Sequence, residues 1–332
     1  MPDFLALPRA DREEALLTAQ TALGRPPHLL EKDILVVWAL QHLFSGQHAA
    51  HLVFKGGTSL SKAYGVINRF SEDVDLTYDI RAIAPDLVGQ AGGPLPPSRS
   101  QSKRWTSDIN ERLAKLVATE LLPPLEQALA KTGLPAKARV DVDRIFIDYE
   151  PIFTGNEYTP PSVMLEFGAR STGEPSAKHH VVCDAAQALG SLAFPQTDVI
   201  TMKAERTFWE KATAVHVFCE TGRFRGGPRY ARHWYDLVQL DRAGLADAAF
   251  ADKALAKAVA DHKTAFFAES GVDYHAAIAG GLRLVPENGP RDELELDYKR
   301  MTDAGMFMGQ PEPFDQLMEH CKAIEAKVPK AA

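Results

Sequence analysis

The stretch Val53-Phe54-Lys55-Gly56-Gly57-Thr58-Ser59-Leu60-Ser61-Lys62-Ala63-Tyr64-Gly65-Val66-Ile67-Asn68-Arg69-Phe70-Ser71-Glu72-Asp73-Val74-Asp75-Leu76-Thr77-Tyr78-Asp79 decides how the chain is read. A strand end at Leu52, Val53 and Phe54 runs into Gly56-Gly57, the hydroxyls of Thr58 and Ser59, and a short helix. Two glycines let a backbone approach a phosphate closely, and the N–H groups at a helix start point at the anion. A second strand follows, where alternation puts Asp73 and Asp75 on one face and turns Val74 and Leu76 to a core. Two hard oxygen ligands on one edge suit Mg²⁺, which keeps several waters and takes its other ligands from substrate phosphates. Alone, a Gly-Gly turn is usually only a turn and Asp-x-Asp only a solvated strand face. The order strand, Gly-Gly-hydroxyl, helix, Asp-hydrophobic-Asp joins the two halves into a candidate nucleotide site.

In this order the chain resembles the AbiEii-type abortive-infection toxins of the DNA polymerase beta nucleotidyltransferase superfamily. The resemblance rests on residues 55–62 and 69–76 and extends through Leu165-Glu166-Phe167-Gly168-Ala169-Arg170, Arg206-Thr207-Phe208-Trp209-Glu210-Lys211 and Arg232-His233-Trp234-Tyr235-Asp236-Leu237. It implies an α/β (α+β) fold. A polymerase-beta-like nucleotidyltransferase lobe with N-terminal helices and a small mixed sheet would span 1–195, and a helical C-terminal lobe 196–332. Fourteen residues separate Thr58 from Asp73, more than the superfamily's compact pattern, so the intervening helix is expected to be longer or followed by an extra turn.

The resemblance also implies a reaction: transfer of a nucleoside monophosphate from an NTP to an RNA acceptor, foremost the 3′ end of tRNA, with release of pyrophosphate. The protein would be the toxin half of a toxin–antitoxin pair, with a cognate antitoxin as partner. Asp73 and Asp75 would ligate Mg²⁺, and Glu166 would complete the metal edge or accept the acceptor hydroxyl's proton. Lys55, Gly56, Gly57, Thr58 and Ser59 would cradle phosphates, with Lys62 and Lys211 balancing their charge. Asp236 would position the ribose, the acceptor or Lys211. Read without the resemblance, Glu166 is a solvated strand residue, and Lys211 is a snorkelling lysine beside the stripe Phe208, Ala212, Val215, Cys219. Arg232 and Asp236, four apart, then make an ordinary surface ion pair. Ser71 stands two residues before Asp73, so a modification there would bring negative charge to the metal edge. Two rival readings stay open: nucleotidylation of a protein or small molecule, and an inactive fold kept as a binding module.

Composition bounds these readings. A chain of 332 residues, 45% hydrophobic, can bury a sizeable core. Three widely spaced cysteines fit reduced thiols better than a disulfide framework. The polar start Met1-Pro2-Asp3 lacks a secretory layout and no apolar run is long enough to span a bilayer, so a cytoplasmic protein without membrane attachment is expected. A net charge of −7 argues against non-specific coating of nucleic acid, which depends on many cationic contacts to phosphates. It leaves an RNA substrate open, because Arg223, Arg225, Arg229 and Arg232 cluster around Phe224 in a Gly-rich loop suited to single strands. The alternative is that these are solvated loop arginines. Arg170 either binds phosphate or pairs with an acid such as Glu174. His179, His180 and Cys183 lack the second ligand pair that structural zinc needs.

Periodicity predicts helices over 11–23 and 28–44, broken at Pro26-Pro27. Lys32, in the opening Glu31-Lys32-Asp33 of the second, either touches nucleotide or RNA or is structural. A Gly/Pro/Ser-rich loop is expected over 88–103, then a helix over 109–131 interrupted by Pro123-Pro124. Strands are expected over 138–143, 145–149 and 162–169. Long helices are expected from about Pro195, among them 203–220, 230–240 and a last one over 313–327.

Overall fold

Proline and glycine set the first two helices of the computed structural model, which describes residues 1–71, 73–155, 158–223 and 229–330. Helix α1 (Arg9–Leu23) stops at Gly24, whose φ of 65° is left-handed. Helix α2 (Pro27–Ser45) opens on Pro27, where the missing N–H has no helical partner to lose. Every residue from Leu29 to Leu40 is buried, so α2 is a core helix. It packs on a seven-stranded sheet of β1 (Leu52–Lys55), β2 (Val74–Tyr78), β3 (Ala136–Asp141), β4 (Arg144–Tyr149), β5 (Ser162–Gly168), β6 (Ser176–Val182) and β7 (Gln196–Met202). The order is β3-β4-β5-β2-β1-β7-β6. The pairs β2/β5 and β1/β7 are parallel and the others antiparallel, giving a mixed sheet.

Contacts divide the chain into two units. Met1–Gly65, Phe70–Pro94 and Trp105–Met202 form the first, and Val66–Arg69, Leu95–Arg104 and Lys203–Ala332 the second. In the first, one face of the sheet is core: Phe54, Val74, Leu76, Ile145, Ile147, Val163, Leu165 and Phe167 are essentially inaccessible. Alternation then forces their neighbours Lys55, Asp75, Arg144 and Glu166 to the other face. The second unit is helical. Its main elements follow α3 (Gly56–Lys62), α4 (Arg99–Leu116) and α5 (Leu122–Thr132) in the count: α6 (Ala204–Thr221), α7 (Arg232–Arg242), α8 (Lys253–Phe266), α9 (Gly289–Asp303) and α10 (Phe314–Lys327). Phe208, Trp209 and Phe250 meet edge to face at 5.3–5.6 Å. The indole N–H groups of Trp209 and Trp234 donate to the carbonyls of Ala249 and Leu284.

The structure corrects several expectations about elements. The loop expected over 88–103 shrinks, because a helix Pro85–Ala91 occupies its start and α4 begins at Arg99. Trp105, Ile109, Leu113 and Val117 recur every four residues and are all buried, so the helical period starts upstream of Ile109. As expected, the regular α run is interrupted at Pro123 and Pro124. They sit in the first turn of α5, behind a wide π turn at Val117–Leu121 that accommodates their missing N–H donors. Strands β6 and β7 lie where no strand was expected. Thr197, Val199, Ile200 and Thr201 gave the β-branched signal in β7, and the helices begin only at Ala204. The extra spacing before Asp73 is not a longer helix, since α3 has seven residues; Val66–Arg69 in that interval group with the second unit. Among the described residues, no helix is long and apolar enough to cross a membrane.

Candidate active site

Four strands of the first unit build one row of charge. Lys55 faces Asp75 across β1/β2, Asp75 faces Glu166 across β2/β5, and Glu166 faces Arg144 across β5/β4. Register partners point to the same side of a sheet, so the row reads plus, minus, minus, plus. Arg144 Nε reaches Glu166 Oε2 at 3.1 Å, with both side chains a little under half exposed. Burial, and after it the neighbouring charge of Asp75, raises the Glu166 carboxyl above its ordinary value against the pull of Arg144 and Lys55.

Gly56 closes this row from the end of β1. Its φ of 77° is left-handed, and a Cβ there would overlap Asp75 Oδ2 and stand 2.7 Å from its Cγ. The position therefore demands glycine twice, by conformation and by close approach. Asp73 lies one residue before β2, nearly buried, and its backbone carbonyl receives the Thr58 hydroxyl. The Thr58 oxygen also lies 3.0 Å from the buried Ser71 hydroxyl, and Ser59 donates to the Gly56 carbonyl at 2.9 Å. Both cradle hydroxyls are thus spent on holding the turn, which leaves backbone as its anion-facing surface.

Lys62, expected to balance phosphate charge, is placed elsewhere. Its ammonium is 5% exposed and paired with Asp33, and with Asp184 at 2.6 Å, while Arg25 pairs with Asp184. Burial lowers the Lys62 ammonium against the attraction of Asp33. Neighbouring residues of α2 are structural in the same way: Lys32 donates to the Pro160 carbonyl at 2.9 Å, and Glu31 accepts from the Ile152 N–H.

In the second unit, Asp236 is not half of a surface pair with Arg232. It is fully buried, accepts from Arg69 Nε and a terminal guanidinium nitrogen at 2.7 Å each, and meets Lys211 at 2.9 Å. Burial alone would raise the Asp236 carboxyl, but Arg69 and Lys211 outweigh it and hold it well below the carboxylate range. Burial pulls the Lys211 ammonium down, opposed by Asp236. The carboxylate with two cations on it is ionised, and His233, 3.5 Å from Lys211, is kept neutral by burial and then by Lys211. Sequence reasoning missed Arg69 and Arg144. Arg69 sits inside the motif that carried the resemblance, while Arg144 had no local signal and is found only through strand register.

The remaining expected residues have the following surroundings. Arg170 is half-buried, with burial lowering its guanidinium against Asp143. Arg223 is exposed, the Arg229 N–H donates to Asp297, and Arg232 opens α7. Arg225 and Phe224 fall outside the described residues, as does Glu72 of the central motif. His180 bonds Asp198 at 2.8 Å, His179 packs on Tyr64, and the buried Cys183 thiol is pushed up to about 12. A groove of about 570 Å³ lined by Trp38, His42, Lys131 and Phe194 contains none of the expected site residues.

Among the described residues, no three His, Cys, Asp or Glu side chains gather as a metal cage. What the sheet does bring together is a pair, Asp75 and Glu166, whose mutual repulsion a divalent cation would relieve. A pair of hard oxygen donors fits an ion that draws on one or two carboxylates and fills its shell from water and phosphate.

A mixed sheet with this acidic row beside a glycine turn, together with a helical unit, defines the protein as nucleotidyltransferase-like. The family described as nucleotidyl transferase AbiEii toxin, type IV toxin–antitoxin system, matches residues 38–320, and the chain belongs to it. That family implies an antitoxin as partner. No curated protein matches the chain.

Proposed function

We propose that the protein transfers a nucleoside monophosphate from an NTP to an RNA acceptor, the 3′ end of tRNA, and so acts as the toxin of its pair. The observation that carries this reading is the register Lys55–Asp75–Glu166–Arg144 closed by Gly56. In the reaction the acceptor hydroxyl oxygen bonds to the α-phosphorus, the bond from that phosphorus to the β-phosphate bridge breaks, and pyrophosphate leaves with the electron pair. Asp75 and Glu166 would hold Mg²⁺, with Asp73 proposed as a further ligand from one residue before β2, and the ion would supply neutralisation of the triphosphate charge. Glu166 either completes that metal edge or takes the hydroxyl proton. The Gly56-Gly57 backbone lies against the phosphates and Lys55 offsets their charge. Thr58 and Ser59 act through the shape of the turn, and Lys62 through its ion pairs with Asp33 and Asp184. Lys211, paired with Asp236, which Arg69 also holds, is proposed as a charged group required for transfer.

The test is incubation of the purified chain and Mg²⁺ with each labelled NTP in turn, in the presence of deproteinised tRNA or of total protein. Label in the tRNA fraction, lost in Asp75→Ala, is expected. Label in the protein fraction alone would move the acceptor to a side chain. Retention of the growth phenotype in Asp75→Ala would leave only a binding module.

A further inference from the structure

The face that presents Asp75 and Glu166 does not end at Arg144. It continues across β4 to β3, the edge strand of the sheet. Register places Arg139, Phe146 and Met164 in one row on β3, β4 and β5, next to the row that holds Arg144 and Glu166. A third row holds Lys137, Asp148 and Ser162. Lys137, Arg139 and Arg144 are exposed, and Phe146 and Met164 are half-buried.

The arrangement is built rather than incidental. The Arg139 guanidinium lies over the Phe146 ring at 4.2 Å from its centroid. Asp148 fixes it there, accepting from Arg139 Nε at 2.7 Å while its other oxygen accepts from Ser162 at 2.6 Å. A planar cation is thereby held over an aromatic ring, with Met164 next in the same row. Unstacked bases are held on aromatic faces and on guanidinium planes, and such stacking tolerates any base. On β3 and β4 the cations Lys137, Arg139 and Arg144 outnumber the acids Asp141 and Asp148 on this face, so a phosphodiester strand is met by a local positive excess on a chain of net charge −7.

Resting on the reading above, we propose that this face seats the single-stranded end of the RNA acceptor: a base stacks on Arg139 and Phe146, and Arg144 steers the terminal nucleotide toward Glu166. Continuity favours this occupant. From β3 to β2 is three strand spacings, about 14 Å, so a strand laid across the sheet from Arg139 ends its path at the carboxylate pair.

The experiment measures binding of a fluorescein-labelled single-stranded oligoribonucleotide with a free 3′ hydroxyl to the full chain by anisotropy. Arg139→Ala and Phe146→Ala should each weaken binding by about 5- to 150-fold while NTP binding is retained. Arg139 is half exposed, so its variant reports on the platform even where Phe146→Ala unfolds. Affinity unchanged in Arg139→Ala, or an oligoribonucleotide that the wild-type chain does not hold, overturns the proposal. If the label instead enters protein and no oligoribonucleotide binds, the platform is refuted while nucleotidyl transfer survives. Binding lost in the variants of a chain that transfers no nucleotide supports the platform and removes the reaction.

Discussion

Gly56 is the residue on which the candidate site turns. Alanine there must adopt a left-handed φ and displace the Asp75 carboxylate at once. Small misplacements of reacting groups are costly, and Gly56→Ala is expected to slow transfer by about 100-fold with an unchanged far-UV circular dichroism spectrum; a variant of wild-type rate would show that Asp75 need not sit there. Glu166 carries a prediction of sign. Its raised pKa puts the loss of its negative charge at higher pH than for an ordinary glutamate. Arg144 opposes that rise, so in the metal-free chain Arg144→Ala should lift the Glu166 pKa further, read by carbon-13 NMR titration of the glutamate carboxyls. A Glu166 carboxyl whose titration stays in place, or moves down, would mean that Arg144 does not act on it.

At the scale of elements, buried charge fixes helices more firmly than surface pairing does. Asp236 on α7 joins α6 through Lys211 and the segment Val66–Arg69 through Arg69. Removing one partner strands the others in low dielectric, so Asp236→Asn is expected to cost about 3–5 kcal/mol, read from urea denaturation. The depressed Asp236 pKa works in the same sense. Its contribution is fully present above the pKa of an unfolded aspartate and is lost as pH falls through the lower folded value, so the wild type should lose more stability than Asp236→Asn on acidification. In the first unit, Lys62→Met leaves Asp33 and Asp184 facing each other with Arg25, and a drop in melting temperature is expected. Such networks are where the sequence misleads. Helical spacing put Asp236 and Arg232 four apart, and it is Arg69, 167 positions away from Asp236, together with Lys211 that turns Asp236 inward.

At the scale of the whole molecule, the apolar alternation of β1, β2, β4 and β5 and the period of α2, α6 and α7 were legible, because each is a local pattern. The acidic pair was legible in part. Asp75 announced itself through its motif, and Glu166 through the resemblance, but their pairing is a property of β2 and β5 lying side by side, about ninety residues apart. Strands β6 and β7 were hidden because their polar, half-exposed residues break the alternation expected of a buried strand. Net charge yields a prediction for the complete chain. With Lys137 and Arg144 as phosphate contacts and Arg139 under a base, log affinity for single-stranded RNA against log salt should slope at about −1.4, shallow for a nucleic-acid binder; a slope several times steeper would point to a larger basic surface elsewhere.

The interleaving of the two units along the chain bears on how the gene can vary. Val66–Arg69 and Leu95–Arg104 belong with residues encoded far downstream, Arg69 through Asp236 and Ser102 through the Ala265 carbonyl. A premature stop after Met202 would therefore not liberate a working sheet unit; it would take Asp236 from Arg69 and the Ala265 carbonyl from Ser102. A frameshift or nonsense lesion in the last third of the reading frame should abolish toxicity outright rather than yield a partly active fragment, and recombination can exchange neither half by a single crossover.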